Sequence, residues 1–131
     1  MKKLFVSVPM RGRTEEEIKA SIDKMWNLAE IFEGEELELI DSYIDEECPA
    51  GVNAGVWYLG KSLELLAQAD VFIGVGVWDD FPGCRIENEV ADMYGIKRYI
   101  TDPAYIIEDY QDYVNRLFTA KPSKCEVPAN E

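Results

Sequence analysis

The sequence predicts an α/β domain: a small parallel sheet of four or five strands, covered by helices on both faces. Three observations carry this. Short apolar runs, such as Leu4 to Val8 and Val71 to Val77, alternate with longer stretches of helical periodicity. Gly, Pro and Asp punctuate the changes between them. A chain of 131 residues, 47% hydrophobic, has the length and apolar content for one packed core. Alternating strands and helices are the pattern of a parallel sheet with crossover helices. Neither a repeat nor a linker interrupts them, so residues 1–118 read as one domain and 119–131, with Pro122 and Pro128, as a polar and loose tail.

The elements follow in order. Leu4 to Val8 is the first strand, ended by Pro9, and Met10-Arg11-Gly12-Arg13 is the loop after it. Thr14 is placed to cap a helix, with Glu17 at the capping-box position. Ile18, Ile22, Met25, Ala29 and Phe32 recur at helical spacing as one apolar stripe. Glu15, Glu16 and Glu17 fall in the first turn, where the helix dipole favours acids, and Gly34 stops the helix. Glu36 to Ile40 alternates as a second strand, and residues 41–54 read as a loop. Val56 to Gln68 forms the next helix, with Leu59, Leu63 and Leu66 inward. Val71 to Val77 is the central strand. A helix from Cys84 to Tyr94 is expected to bury Ile86, Val90 and Met93 and to end at Gly95. Lys97 to Thr101 is the fourth strand, and Tyr105 to Leu117 the last helix, with Ile106, Tyr110, Tyr113 and Leu117 as a packing or dimer stripe.

Composition removes several function classes. Thirteen basic residues against 26 acidic ones give a net charge of -13, which argues against a nucleic-acid backbone or an anionic membrane as partner. No apolar run is long enough to span a membrane, and the N-terminus lacks a signal-peptide pattern. Cys48, Cys84 and Cys125 have no metal-ligand spacing and read as reduced cytosolic thiols, so a cytoplasmic location is expected. The chain has no histidine, which removes histidine triads and histidine zinc sites. Carboxylates must then carry proton transfer or nucleophilic attack. Asp79 and Asp80 are the one pair that suggests magnesium, although paired acids in a polar loop are usually just solvated.

In a parallel sheet, chemistry is expected beyond the carboxyl ends of the strands. Glu87 lies there, just inside the helix after the central strand, sharing a helical face with Cys84, Ala91 and Tyr94. A carboxylate in that place can attack an electrophilic sugar carbon, or can merely stabilise its own helix. Glu89 is its near competitor. Arg11, Gly12 and Arg13 follow the first strand and precede a helix. They can hold an anion, or simply balance Glu15 to Glu17. The loop lacks the ending of a Walker motif. Trp78 and Phe81 sit in the loop after the central strand, as stacking surfaces for a base or as a lid on the local core. Trp57, Tyr58 and Tyr43 are placed near the same region.

Pro9-Met10-Arg11-Gly12 after a strand, Leu66-Ala67-Gln68-Ala69-Asp70-Val71, and Gly83-Cys84-Arg85-Ile86-Glu87 with Ala91 and Tyr94-Gly95 together resemble the nucleoside 2-deoxyribosyltransferase-like superfamily. The resemblance is to a small bacterial and phage branch of it, and spans residues 3 to about 101. It implies a three-layer flavodoxin-like or Rossmann-like core, a homodimer or larger homo-oligomer, and cleavage of the N-glycosidic bond of a nucleoside or nucleotide. By position Glu87 matches the family's nucleophile. Ser7, Arg11, Gly12 and Arg13 fall in the region that holds a 5'-phosphate in relatives acting on nucleoside monophosphates. Met10, Tyr43, Trp78, Phe81, Gly83 and Cys84 are the further substrate-binding candidates. Asp70 matches a superfamily acid and is expected to be structural. Better-studied members carry a second catalytic acid eight residues before that position, where this chain has Ser62. Serine donates a hydrogen bond but is not a general acid, so Glu64, Asp41 or Asp45 would have to enter, or the base leave with less help, or the activity be altered or absent. Asn115 is the candidate for a group supplied by a neighbouring subunit.

The expected function is therefore a nucleotide or deoxynucleotide N-glycosidase needing no cofactor, with a small-molecule substrate and neither nucleic acid nor membrane as partner. Base exchange by a deoxyribosyltransferase, a non-catalytic nucleotide-binding or signalling module, and a plain interaction domain using Ile106, Tyr110 and Tyr113 are the alternatives.

Overall fold

The computed structural model describes residues 1–76 and 81–119, the last three by their backbone. In chain order the elements are β1 (Lys3–Val6), α1 (Glu15–Glu33), β2 (Glu38–Leu39), α2 (Ala54–Leu66), β3 (Val71–Val75), α3 (Pro82–Met93), β4 (Lys97–Thr101), α4 (Pro103–Ile106) and α5 (Tyr110–Thr119). The strands form one sheet in the order β2-β1-β3-β4, parallel throughout. There is no fifth strand among the described residues. The fold is α/β and three-layered, in agreement with a flavodoxin-like domain.

Strand alternation divides the core. Leu4 and Val6 of β1 and Val71, Ile73 and Val75 of β3 face one side, where Ile18, Ile22, Met25 and Ala29 of α1 meet Ile106 and Tyr113 from the C-terminal helices. Phe5 and Phe72 face the other side with Leu66 of α2 and Ala91 of α3. Their rings, paired in register across β1 and β3, stack at 6.0 Å and 9°.

Local chemistry sets the helix ends. Thr14 accepts from the Glu17 N–H while the Glu17 carboxylate accepts from the Thr14 N–H, a complete capping box. Gly34 closes the same helix with its N–H on the Glu30 carbonyl at 2.8 Å. Asn53 caps α2 through the Val56 N–H at 3.0 Å, so that helix starts two residues before the predicted Val56.

The structure corrects four expectations. First, α3 buries Cys84, Glu87, Asn88 and Ala91, and leaves Ile86 37% and Met93 76% exposed. The cause is how closely α3 lies on β3. A Cβ on Gly74 would stand 2.9 Å from Asn88 Nδ2 and 2.8 Å from Phe72 Cε1. The face that bears Cys84, Asn88 and Ala91 is the one that fits so near. Second, the last helix is two: Asp109, at φ 52, breaks the chain between α4 and α5. Third, Phe32 is 50% exposed rather than part of the apolar stripe. Fourth, Cys48 is disulfide-bonded while Cys84 is free and buried. The cysteine count therefore no longer supports a reducing compartment.

Candidate functional site

The strand order reverses between β1 and β3, because the crossovers from these two strands leave in opposite directions. In open α/β sheets this switch point, at the carboxyl ends of the strands, is where a crevice forms. β1 delivers Ser7 there, and β3 leads into α3, which delivers Glu87. The two meet: Ser7 Oγ donates to Glu87 Oε1 at 2.6 Å, between residues 80 positions apart. Both are buried, Ser7 at 1% and Glu87 at 7% exposure. A second hydroxyl, that of Ser62 on α2, also favours the Glu87 anion. Three elements thus converge on one carboxyl group.

Burial pushes the Glu87 carboxyl up to about 7, and the Ser7 and Ser62 hydroxyls hold it down against that rise. At neutral pH the group is therefore divided between its acid and its anion. It can release or take a proton near pH 7, and its anion is poorly solvated and so nucleophilic. Cys84, three residues before it on α3, is buried, and burial pushes its thiol well above the ordinary range. It is an inert packing thiol rather than a ligand-binding one. Glu89, the competitor carboxylate, is exposed and pairs with Arg85 at 3.3 Å one turn away.

Ser62 stands at the position of the missing second acid, and its hydroxyl lowers the pKa of the nucleophile candidate. Asp41, Asp45 and Glu64 are exposed, and none is among the groups acting on the Glu87 carboxyl. Asp70 accepts from the Lys3 N–H at 2.9 Å and ties the start of β1 to the start of β3, at the opposite end of the sheet from Glu87.

The loop after β1 is a tight turn, with the Arg13 N–H on the Met10 carbonyl at 3.2 Å and Gly12 at φ 71, which its lack of a side chain permits. Arg13 is tied into the packing of the loop against α1. It donates to the carbonyls of Pro9 and Glu17 at 2.9 and 3.2 Å and to Ser21 Oγ at 2.6 Å. These three bonds show Arg13 balancing the start of α1, the structural alternative of the sequence reading. The start of α1 is likewise occupied by its own capping box. Met10 packs against the main core, and Arg11 is half-buried.

Phe81 is 5% exposed and stacks on Tyr113 at 6.0 Å and 19°. It belongs to the core and offers no face to a base, which corrects its placement among the substrate contacts. Gly83 is half-buried at the start of α3. Tyr43 is half-buried beside β2, with the Lys19 ammonium 5.7 Å over its ring. Trp78, Asp79 and Asp80 lie outside the described residues, as does the tail beyond 119. Among the described residues no group of three or more His, Cys, Asp or Glu is placed to hold a metal ion. No helix among them is long and apolar enough to cross a membrane.

Sequence reasoning missed α5 as part of this region. Tyr113 was legible only as one member of an apolar stripe. Its hydroxyl in fact donates to the Arg11 carbonyl at 2.6 Å. No spacing pattern signals a contact across 102 positions. Set against known proteins, the chain matches no family model, no curated protein and no solved structure.

Proposed function

We propose that the protein is an N-glycosidase that cleaves the base–sugar bond of a nucleotide or deoxynucleotide, with Glu87 as nucleophile. One observation carries the reading: a buried carboxylate at the strand-order switch, aimed by the Ser7 hydroxyl at 2.6 Å, in a chain without histidine. Its resemblance to the nucleoside 2-deoxyribosyltransferase-like superfamily in the stretches around Arg11, Asp70 and Glu87 supports the same reading.

In the proposed course, a Glu87 oxygen attacks C1' of the sugar as the C1'–N bond breaks and its electrons leave with the base. Positive charge that develops on the sugar ring is met by the carboxylate. Ser7 and Ser62 hold the carboxylate in line and stabilise its anion. Water then attacks C1' and gives up its proton to the departed base anion, the ester bond breaks with its electrons returning to Glu87, and the sugar leaves with its original configuration. Ser62 acts as a positioning residue in place of a general acid.

Wild type and Glu87→Gln, incubated with a panel of nucleosides and nucleoside 5'-monophosphates, test this by chromatography of free base. Base release should fall about 1,000-fold or more in the variant. Equal release by both proteins would end the proposal. Adding a second base separates hydrolysis from base exchange.

The proposed assembly is a homodimer. Met93 and Tyr94, at the end of α3 and just beyond, are 76% and 79% exposed, an apolar surface that a second copy would cover. Light scattering of wild type and Met93→Asp checks this: a dimer that dissociates in the variant is expected.

A further inference from the structure

β2 is an outer strand in the order β2-β1-β3-β4, and its free side is unlike the rest of the sheet. The Glu38 and Ile40 N–H groups turn inward, to the Lys2 and Leu4 carbonyls, both at 2.9 Å. Strand alternation therefore turns the N–H and C=O of Leu37 and Leu39 outward. Those of Leu37 are taken by α1: its N–H donates to Glu30 Oε2 at 2.9 Å and its carbonyl accepts from Trp26 Nε1 at 3.0 Å. No group among the described residues does this for Leu39. Beside it lies an open cavity of about 550 Å³, lined by Met1, Trp26, Leu37 and Leu39 and by Glu30, Glu36 and Glu38. Glu36 and Glu38 are exposed. Lys2, their neighbour on β1, pairs instead with Glu33 and Glu35, at 3.3 and 3.5 Å.

We infer that this edge binds an extended, basic segment of a partner protein, added as one more strand beside β2. The outward N–H and C=O of Leu39 supply the backbone pairing. An apolar side chain of the segment enters the cavity against Trp26 and Leu39. The residues on either side of it point to the other face and bring basic groups to Glu38 and Glu36. The segment therefore alternates basic and apolar residues. A second copy of this chain does not suit the edge, since pairing β2 with β2 sets acid against acid in a protein of net charge -13. None of the lining residues belongs to the group around Glu87, and the inference does not depend on the glycosidase reading.

Fluorescence anisotropy with a labelled short peptide alternating lysine and valine tests this, against a peptide of the same residues arranged in two blocks. The blocks keep the charge and lose the alternation. The alternating peptide should bind about 10-fold more tightly. Glu36→Gln with Glu38→Gln should weaken it about five-fold and flatten its salt dependence. Leu39→Pro removes the outward N–H and leaves the bonds to β1 in place, and should bring the alternating peptide down to the affinity of the block peptide. Amide exchange in the wild-type protein supplies a reading that needs no variant. The Leu39 N–H should exchange about 10-fold more slowly with the alternating peptide bound, and that of Leu37, already bonded, should change by less than about two-fold. Equal affinities for the two peptides, or a Leu39 amide whose exchange the peptide does not move, overturn the inference. So does self-association that Glu38→Lys abolishes and Met93→Asp does not, which gives the edge to a second copy instead.

Discussion

Glu87 shows how much a single residue owes to its surroundings. Its residue type and its place after the central strand are legible in the sequence. Its depth and its two hydroxyl partners are not, because Ser7 and Ser62 arrive from other elements. Those partners make a kinetic prediction. The nucleophile must be ionised, and its carboxyl titrates at about 7, so kcat/KM for base release should rise with pH and level off above neutrality. It should be about 100-fold lower at pH 5 than at pH 8. Ser7→Ala removes a hydrogen bond to the anion and should move this profile to higher pH, a shift read directly from the pH–rate curve. A flat profile would exclude Glu87 as the group that reacts.

The same residue makes a stability prediction whose sign is opposite to that of most acids. Its folded-state pKa lies above the ordinary 4.5, at about 7. The folded protein therefore holds this proton more tightly than the unfolded chain does. The contribution is complete below pH 4.5 and is lost as pH rises through 7, a cost of about 3 kcal/mol on the alkaline side. Glu87→Gln should match wild type near pH 4 and exceed it at pH 8 by roughly that amount in urea unfolding. A site that stabilises the protein when its reactive carboxylate is removed is in keeping with a functional rather than a structural role.

At the scale of elements, α1 and α3 make a contrast. The boundaries of α1 follow from its own residues: Thr14 and Glu17 cap one end and Gly34 the other. Its inward face follows from the spacing of Ile18, Ile22, Met25 and Ala29, all buried. For α3, periodicity alone favours the bulky Ile86–Val90–Met93 side, and the tertiary structure selects the other. The selection is steric and centres on Gly74, whose missing side chain leaves the space that Asn88 and Phe72 occupy. Gly74→Ala should therefore lift α3 from the sheet and cost about 1–3 kcal/mol, measured by chemical denaturation. Because α3 carries Glu87, base release should fall with it. A variant as stable as wild type would show that α3 does not need this close approach.

At the scale of the whole molecule, two acids at opposite ends of the sheet set opposite pH limits. Glu33, at the end of α1, gathers Lys97 Nζ at 2.5 Å and Lys2 Nζ at 3.3 Å. It also accepts from Tyr99 Oη at 2.7 Å. These donors hold its carboxyl down at about 2. Its folded-state pKa is below the unfolded value, so its contribution is present above pH 4.5 and is lost as pH falls toward 2. With Glu87 acting in the other direction, thermal midpoints should peak near pH 4.5 to 5 and decline on both sides. Glu33→Gln should flatten the acid limb and Glu87→Gln the alkaline limb. A midpoint that climbs steadily to pH 8 would contradict this balance.

The succession of strands and helices, the capping of α1, and the carboxylate and arginine loop on which a functional reading depends can all be read from the residues in a row. These are matters of neighbouring residues, whose periodicity and turn chemistry act within a few positions. Which face of α3 turns inward is set by long-range packing. The same packing ties Arg13 and Phe81 into place and brings Tyr113 to the loop after β1. Such choices are made by contacts between elements far apart in the chain, where close approach and burial outweigh any preference of the segment alone.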